Sequence, residues 1–233
     1  MTKLMRHATS IVSVVFIMFA MVNGDACADA VSGQGTWEGT LQARYLTSSQ
    51  INGPDAYFDT ALNITWLANT RLSVVSNFGV PLIGSDGRMS WNTAQQWLAS
   101  LNAGNYLGYS DWRLPQTYDF SASYSPSPNS SEMAHLYYTT LGNPDYFHGP
   151  IQNTGPFANL PGFYWSGVYP YDSTYAEYFN MNWGNQQFEQ QGASMNVMVV
   201  RSGDVTPVPI PTSSGLFLSG ATIFIVIIRR RFS

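Results

Sequence analysis

Two short stretches gather the residues that could do chemistry. In GYSDWRLP, Gly108 to Pro115, Asp111 and Arg113 flank Trp112, so in an extended segment the charged side chains leave one side and the indole the other. A guanidinium presents a rigid fork of donors. It can line a ligand pocket, or it can serve as a structural clasp, buried against a carboxylate or backbone carbonyls, with Pro115 fixing the exit. The clasp is the favoured reading, and Arg201 in MNVMVVRSG invites the same one. Trp165 in FYWSG reads as core. In NMNWGNQQFEQ, Asn180, Asn182, Asn185 and Glu189 are oxygen donors of the kind calcium takes, and Trp183 offers a face on which a sugar ring could stack. The competing and favoured reading is a polar hairpin with Gly184 and Asn185 as its turn. No cofactor is expected; calcium is the one candidate cation.

The rest of the catalytic inventory is thin. His7, His135 and His148 are the only histidines, and no two share metal-ligand spacing, so no metal residue is assigned. There is no Gly-x-Ser-x-Gly elbow to support a serine hydrolase. The single cysteine, Cys27, lies in the leader described below, leaving the domain without a disulfide or thiol nucleophile.

Between Val31 and Asp204 lie about 174 residues, the length of one ordinary domain. Five arginines face twelve Asp and Glu, a balance of −7, and no lysine is present. Such a surface repels phosphate backbones and sulfated polymers, so no nucleic-acid partner is expected. All seven Trp and all fourteen Tyr of the chain fall here. That is more tyrosine than a core needs, and it suggests a sticky outer face.

The elements that must position these residues follow from periodicity. TWEGTLQARYL alternates loosely and reads as a first strand, and in DTALNITWLAN Leu62, Ile64 and Trp66 share a face between turn residues. SWNTAQQWLASLN is a helix capped by Ser90, with Trp91, Ala94, Leu98 and Leu101 inward. SSEMAHLYYTTLGN is a second helix, capped by Ser130 or Ser131 and ended by Gly142, with Met133, Leu136, Tyr137 and Leu141 inward. TYDFSASYSPSPNSS between them is a polar, Pro-broken loop. Strands follow over Phe163–Gly167, Tyr175–Met181, Gln186–Gln190 and MNVMVVRSG. The expected fold class is α+β, a mixed, mostly antiparallel sheet with two helices.

GYSDWRLP, DTALNITWL, SWNTAQQWLASLN, FYWSG and VMVVRSGD, in that order, closely resemble the bacterial Lcl C-terminal domain family, from about Tyr57 to Asp204. The resemblance implies a fold related to C-type lectins and to formylglycine-generating enzymes, and extracellular binding of glycans or other surface ligands. The enzymatic branch depends on thiol chemistry that the domain lacks.

The two ends speak of export. Lys3 and Arg6 precede an apolar run from Ile11 to Val22 and the small residues of NGDACADA, which reads as a signal peptide over residues 1–30, cut after Ala28 or Ala30. A lipoprotein reading on Cys27 is the lesser alternative, since Gly24 and Asp25 stand where an aliphatic and a small uncharged residue are preferred. After the domain, residues 205–214 form a Pro-rich stalk. Residues 215–233 then form a sorting tail: Gly215 to Ile228 is free of charge, roughly 21 Å as a helix and short for a single transmembrane span. Arg229, Arg230 and Arg231 would hold its end in the cytoplasm. With Val208, Pro209 and Pro211 in front, the tail resembles the PEP-CTERM sorting signal in a Val-Pro-x-Pro variant. That resemblance implies an exosortase-type processing enzyme as partner and release at the cell surface of a Gram-negative bacterium; a permanent anchor is the alternative. The sequence is thus expected to encode a non-enzymatic exported protein, transiently in the inner membrane, acting as an adhesion or exopolysaccharide-associated module. A structural matrix component without a specific ligand is the second reading.

Overall fold

The computed structural model describes residues 34–47, 53–167 and 174–206; the expected signal peptide, most of the stalk and the basic tail lie outside them. Among the described residues are seven strands: β1 Leu41–Arg44, β2 Ala56–Asp59, β3 Ile64–Leu67, β4 Phe163–Trp165, β5 Tyr175–Asn180, β6 Asn185–Gln190 and β7 Val200–Ser202. They form one antiparallel sheet in the order β1-β2-β3-β7 and a second in the order β4-β5-β6. Four α-helical segments accompany them, α1 Trp37–Thr40, α2 Leu72–Val75, α3 Trp91–Ala103 and α4 Glu132–His135. The architecture is mixed α+β with antiparallel sheets and few helices. Among the described residues no helix is long and apolar enough to cross a membrane.

Local chemistry explains the elements, including those that periodicity alone misplaces. TWEGTLQARYL is not one strand: the amides of Gly39 and Thr40 both donate to Thr36 O and close α1 as a single turn, and only Leu41–Arg44 is extended. DTALNITWLAN spans a hairpin turn, because Asp59 Oδ1 accepts from the amides of Ala61 and Leu62 and Asn63 takes φ +54°. Helix α3 starts where Ser90 Oγ accepts from Thr93 N. Its most deeply buried side chains are Ala94, Trp97 and Leu101, while Trp91 and Leu98 pack at the margin. Helix α4 is capped by Ser131 Oγ on Ala134 N, and it runs on as a π-helical turn, Leu136–Thr140, closed by Leu141 N donating to Leu136 O at 2.8 Å. In MNVMVVRSG only Val200–Ser202 joins a ladder; Met195 and Asn196 make single bridges to Met89 and Tyr164.

Two apolar clusters fill the interior. One gathers Trp66, Met133, Leu136, Tyr137, Tyr164 and Phe179 between the four-stranded sheet, the α4 segment and β5. The other surrounds Trp97 with Trp112, Trp165, Leu101 and Val199. Neighbouring residues of β4 feed opposite clusters, Tyr164 the first and Trp165 the second, as strand alternation requires. Along β4 and β5 the three-stranded sheet is therefore packed on both faces, while β6 is partly exposed beyond Gln186.

Candidate functional site: arginine clasps and an aromatic surface

Arg113 lies beside β7, exchanging both backbone hydrogen bonds with Val200, at 2.7 and 2.9 Å. Its guanidinium donates from Nη1 and Nη2 to both oxygens of Glu132, at 2.8 and 2.7 Å, and from Nη1 to Leu114 O. Glu132 is only 2% exposed and also accepts from Gln116 N. The fork thus joins the GYSDWRLP segment to the first turn of α4. Pro115, buried next to it, accepts from Gly167 N and so ties the same segment to the end of β4. Trp112 faces the second cluster; its indole donates to Tyr106 O, and its backbone is held at both ends by the Asn102 amide. Trp165 is fully buried and donates to Met89 O.

A second clasp lies nearer the surface. Arg201 donates to both oxygens of Asp111, at 2.8 and 2.9 Å, and to Asp204 O, and it lies over the Tyr109 ring at 4.3 Å. Arg44 in turn grips Asp204 bidentately. Hydrogen bonds from Arg201 hold the Asp111 carboxyl below its usual range, and those from Arg44 do the same for Asp204. These arginines are occupied by the protein's own carboxylates, which leaves little of their forks for a ligand.

The NMNWGNQQFEQ hairpin closes differently from a Gly184–Asn185 turn. Asn180 and Asn185 are the paired residues, and Met181–Gly184 is the loop, with Gly184 at φ +77°. Asn180 Nδ2 donates to Asn185 Oδ1, while Asn180 Oδ1 accepts from both the amide and the side chain of Asn182. Glu189 sits four residues along β6, roughly 13 Å from Asn185, and accepts from Gln190 N. These oxygens are spent on one another and spread along a strand, so the set does not fit calcium.

Trp183 has different company. It is 40% exposed and stands 5.7 Å from Tyr146, which stands 5.0 Å from Tyr124 and 5.6 Å from Phe147. Phe147 and Tyr124 are 72% and 54% exposed. Three segments distant in sequence therefore build one solvent-facing aromatic surface. The support beneath it is rigid: Tyr138, from the π-helical turn, donates to Gly184 O at 2.6 Å, and Tyr137 packs edge-on against Tyr138. Beside it, His148 Nδ1 and Asp145 Oδ1 are hydrogen-bonded, and that contact keeps the Asp145 carboxyl low. Aromatic rings placed in the Pro-broken loops YSPSP and DYFHGP were the only sequence sign of Tyr124, Tyr146 and Phe147 as surface residues.

Glu177 is a buried carboxyl that, like Asp59, no arginine meets. It is fully enclosed, its Oε1 accepts from Gln186 Nε2, its Oε2 has no partner, and burial pushes it up to about 7. His135 is half-buried beside Thr140, and desolvation lowers its pKa. Among the described residues, no three of His, Cys, Asp and Glu come together as a metal-holding group.

The fold and its clasps define a mixed α+β domain closed by arginine–carboxylate forks and carrying an aromatic outer surface. The chain belongs to the Lcl C-terminal domain family, whose sequence model matches residues 55–201. No curated protein and no solved structure matches the chain.

Proposed function

We propose that the chain is an exported, non-enzymatic surface protein whose domain serves as an adhesion or exopolysaccharide-associated binding module. The observation that carries this reading is the exposed surface of Tyr124, Tyr146, Phe147 and Trp183. Contiguous exposed aromatics are costly to leave in water and are the usual means of holding the apolar face of a sugar. The acidic balance of the domain supports neutral rather than anionic ligands. In this reading the fold is C-type-lectin-like, and a PEP-CTERM-type tail, Val208, Pro209 and Pro211 followed by Arg229 to Arg231, passes the chain through the inner membrane to an exosortase-type enzyme and the cell surface. The second reading, a matrix component without a specific ligand, rests on the clasps, which make a tightly closed domain. A glycan array probed with the full chain, with and without calcium, separates the two. The binding reading expects retention on neutral glycans, unchanged by calcium; no retention on any glycan would leave the structural reading.

A further inference from the structure

A cleft of about 400 Å³ opens between β2, the 3-10 turn Tyr106–Gly108 and the loop before β4. Its lining mixes polar and apolar side chains. Tyr106, Asp55, Asn69 and Asn159 line it; Tyr106 and Asp55 are half-buried and the two asparagines exposed, and among the described residues the Tyr106 hydroxyl, Asp55 Oδ1 and the Asn69 and Asn159 side-chain nitrogens make no protein hydrogen bond and are open to a ligand. The open groups are nonetheless fixed in place. Asp55 Oδ2 accepts from Leu46 N, Thr47 N and the Thr47 hydroxyl, and Asn69 Oδ1 accepts from Arg71 N. Asn159 at φ +60° and Leu107 at φ +55° hold left-handed backbone that non-glycine residues rarely take, and both line the cleft.

We propose that this cleft binds a neutral polyhydroxylated ring of the size of a single hexopyranose unit. Its volume lies in the range of small-molecule sites. The donors of Asn69 and Asn159, the acceptor of Asp55 and the two-way hydroxyl of Tyr106 match the mixed donors and acceptors of sugar hydroxyls, and the Tyr57 ring with Leu67 and Leu107 supplies apolar wall. An anion would meet the Asp55 carboxylate, and an apolar ligand would strand all four groups. The cleft shares no residue with the aromatic surface, so this proposal stands apart from the one above.

Saturation-transfer NMR of the full chain in detergent against a panel of methyl glycosides of neutral hexoses tests it. Tyr106→Phe removes only a hydroxyl without a partner. Asn159→Gly removes only a free amide and keeps the left-handed backbone, so both variants should melt like the parent. At least one glycoside should give saturable transfer, weakened roughly tenfold in the double variant and unchanged in Trp183→Ala. Absence of transfer from every glycoside, transfer undiminished in the double variant, or transfer lost instead in Trp183→Ala would each overturn it.

Discussion

Arg113 shows what a single side chain contributes. Glu132 is enclosed and leans on the guanidinium for two of its hydrogen bonds. Arg113→Ala leaves a buried carboxylate without its counter-charge, a cost of about 3–5 kcal/mol. Urea unfolding should show that loss, and Arg113→Lys should recover little of it, because an ammonium cannot span both oxygens. A variant that unfolds like the parent would show that the clasp does not hold the domain. Glu177 gives a prediction of unusual sign. Its folded pKa of about 7 stands above an ordinary 4.5, so the folded state takes up the proton first. Stability from this group is complete below about pH 4.5, falls as pH rises towards 7 and is flat beyond, a change on the order of 3 kcal/mol. His135, with its pKa lowered from 6.5, works the other way across part of that window, losing stability as pH falls. The difference between parent and Glu177→Gln therefore isolates Glu177: in urea titrations the variant should gain relative to the parent as pH rises from about 4 to about 7.5. At this scale the sequence pointed to Arg113 and Arg201 as candidate clasps but not to their partners. Glu132 is a capping-turn acid by its position, and only the packing of α4 against β7's neighbour makes it the receiver of Arg113.

At the scale of elements, the β5–β6 loop carries the argument, because it places Trp183. Gly184 there has φ +77°, and a Cβ would come within 2.7 Å of the Tyr138 hydroxyl. Gly184→Ala combines backbone strain with a collision against the support of the aromatic surface, and should cost about 1–3 kcal/mol. A thermal melt reads it directly; an unchanged melt would mean the loop is free to shift away from the π-helical turn. Long elements with strong periodicity were legible in the sequence: both helices, their Ser caps and the strands β5 and β6 fall where spacing and capping place them. Short ones were not. The Trp37–Thr40 turn and the β2–β3 hairpin depend on one carbonyl and one aspartate accepting two amides each, a signal too local for an alternation pattern to register. Trp97 was not legible as the centre of a cluster for a related reason: α3 is apolar on more than one stripe, and its packing against Phe78 selects the face.

For the whole molecule, the clasps, the two clusters and the aromatic surface describe a closed acidic domain with a group of exposed rings on its surface. The composition foretold such rings, since fourteen tyrosines exceed what a core of this size absorbs, but it could not say that Tyr124, Tyr146, Phe147 and Trp183 converge, because loops distant in sequence bring them together. If the tail is a transit label, intact-mass measurement of the protein from its native host should show loss of the leader and of everything beyond the Pro-rich stalk; a chain retained through Ser233 would support the permanent anchor instead. The central claim is that the aromatic surface binds neutral glycans. It is tested most directly by comparing the full chain with its Tyr146→Ala/Trp183→Ala double variant on immobilised neutral polysaccharide, at low and at physiological salt. The account predicts that the parent is retained equally at both salts, because no ion pairs are screened, and that the variant, folded like the parent, is retained at least tenfold less. Equal retention of parent and variant, or retention only on sulfated polymers and only at low salt, would contradict it.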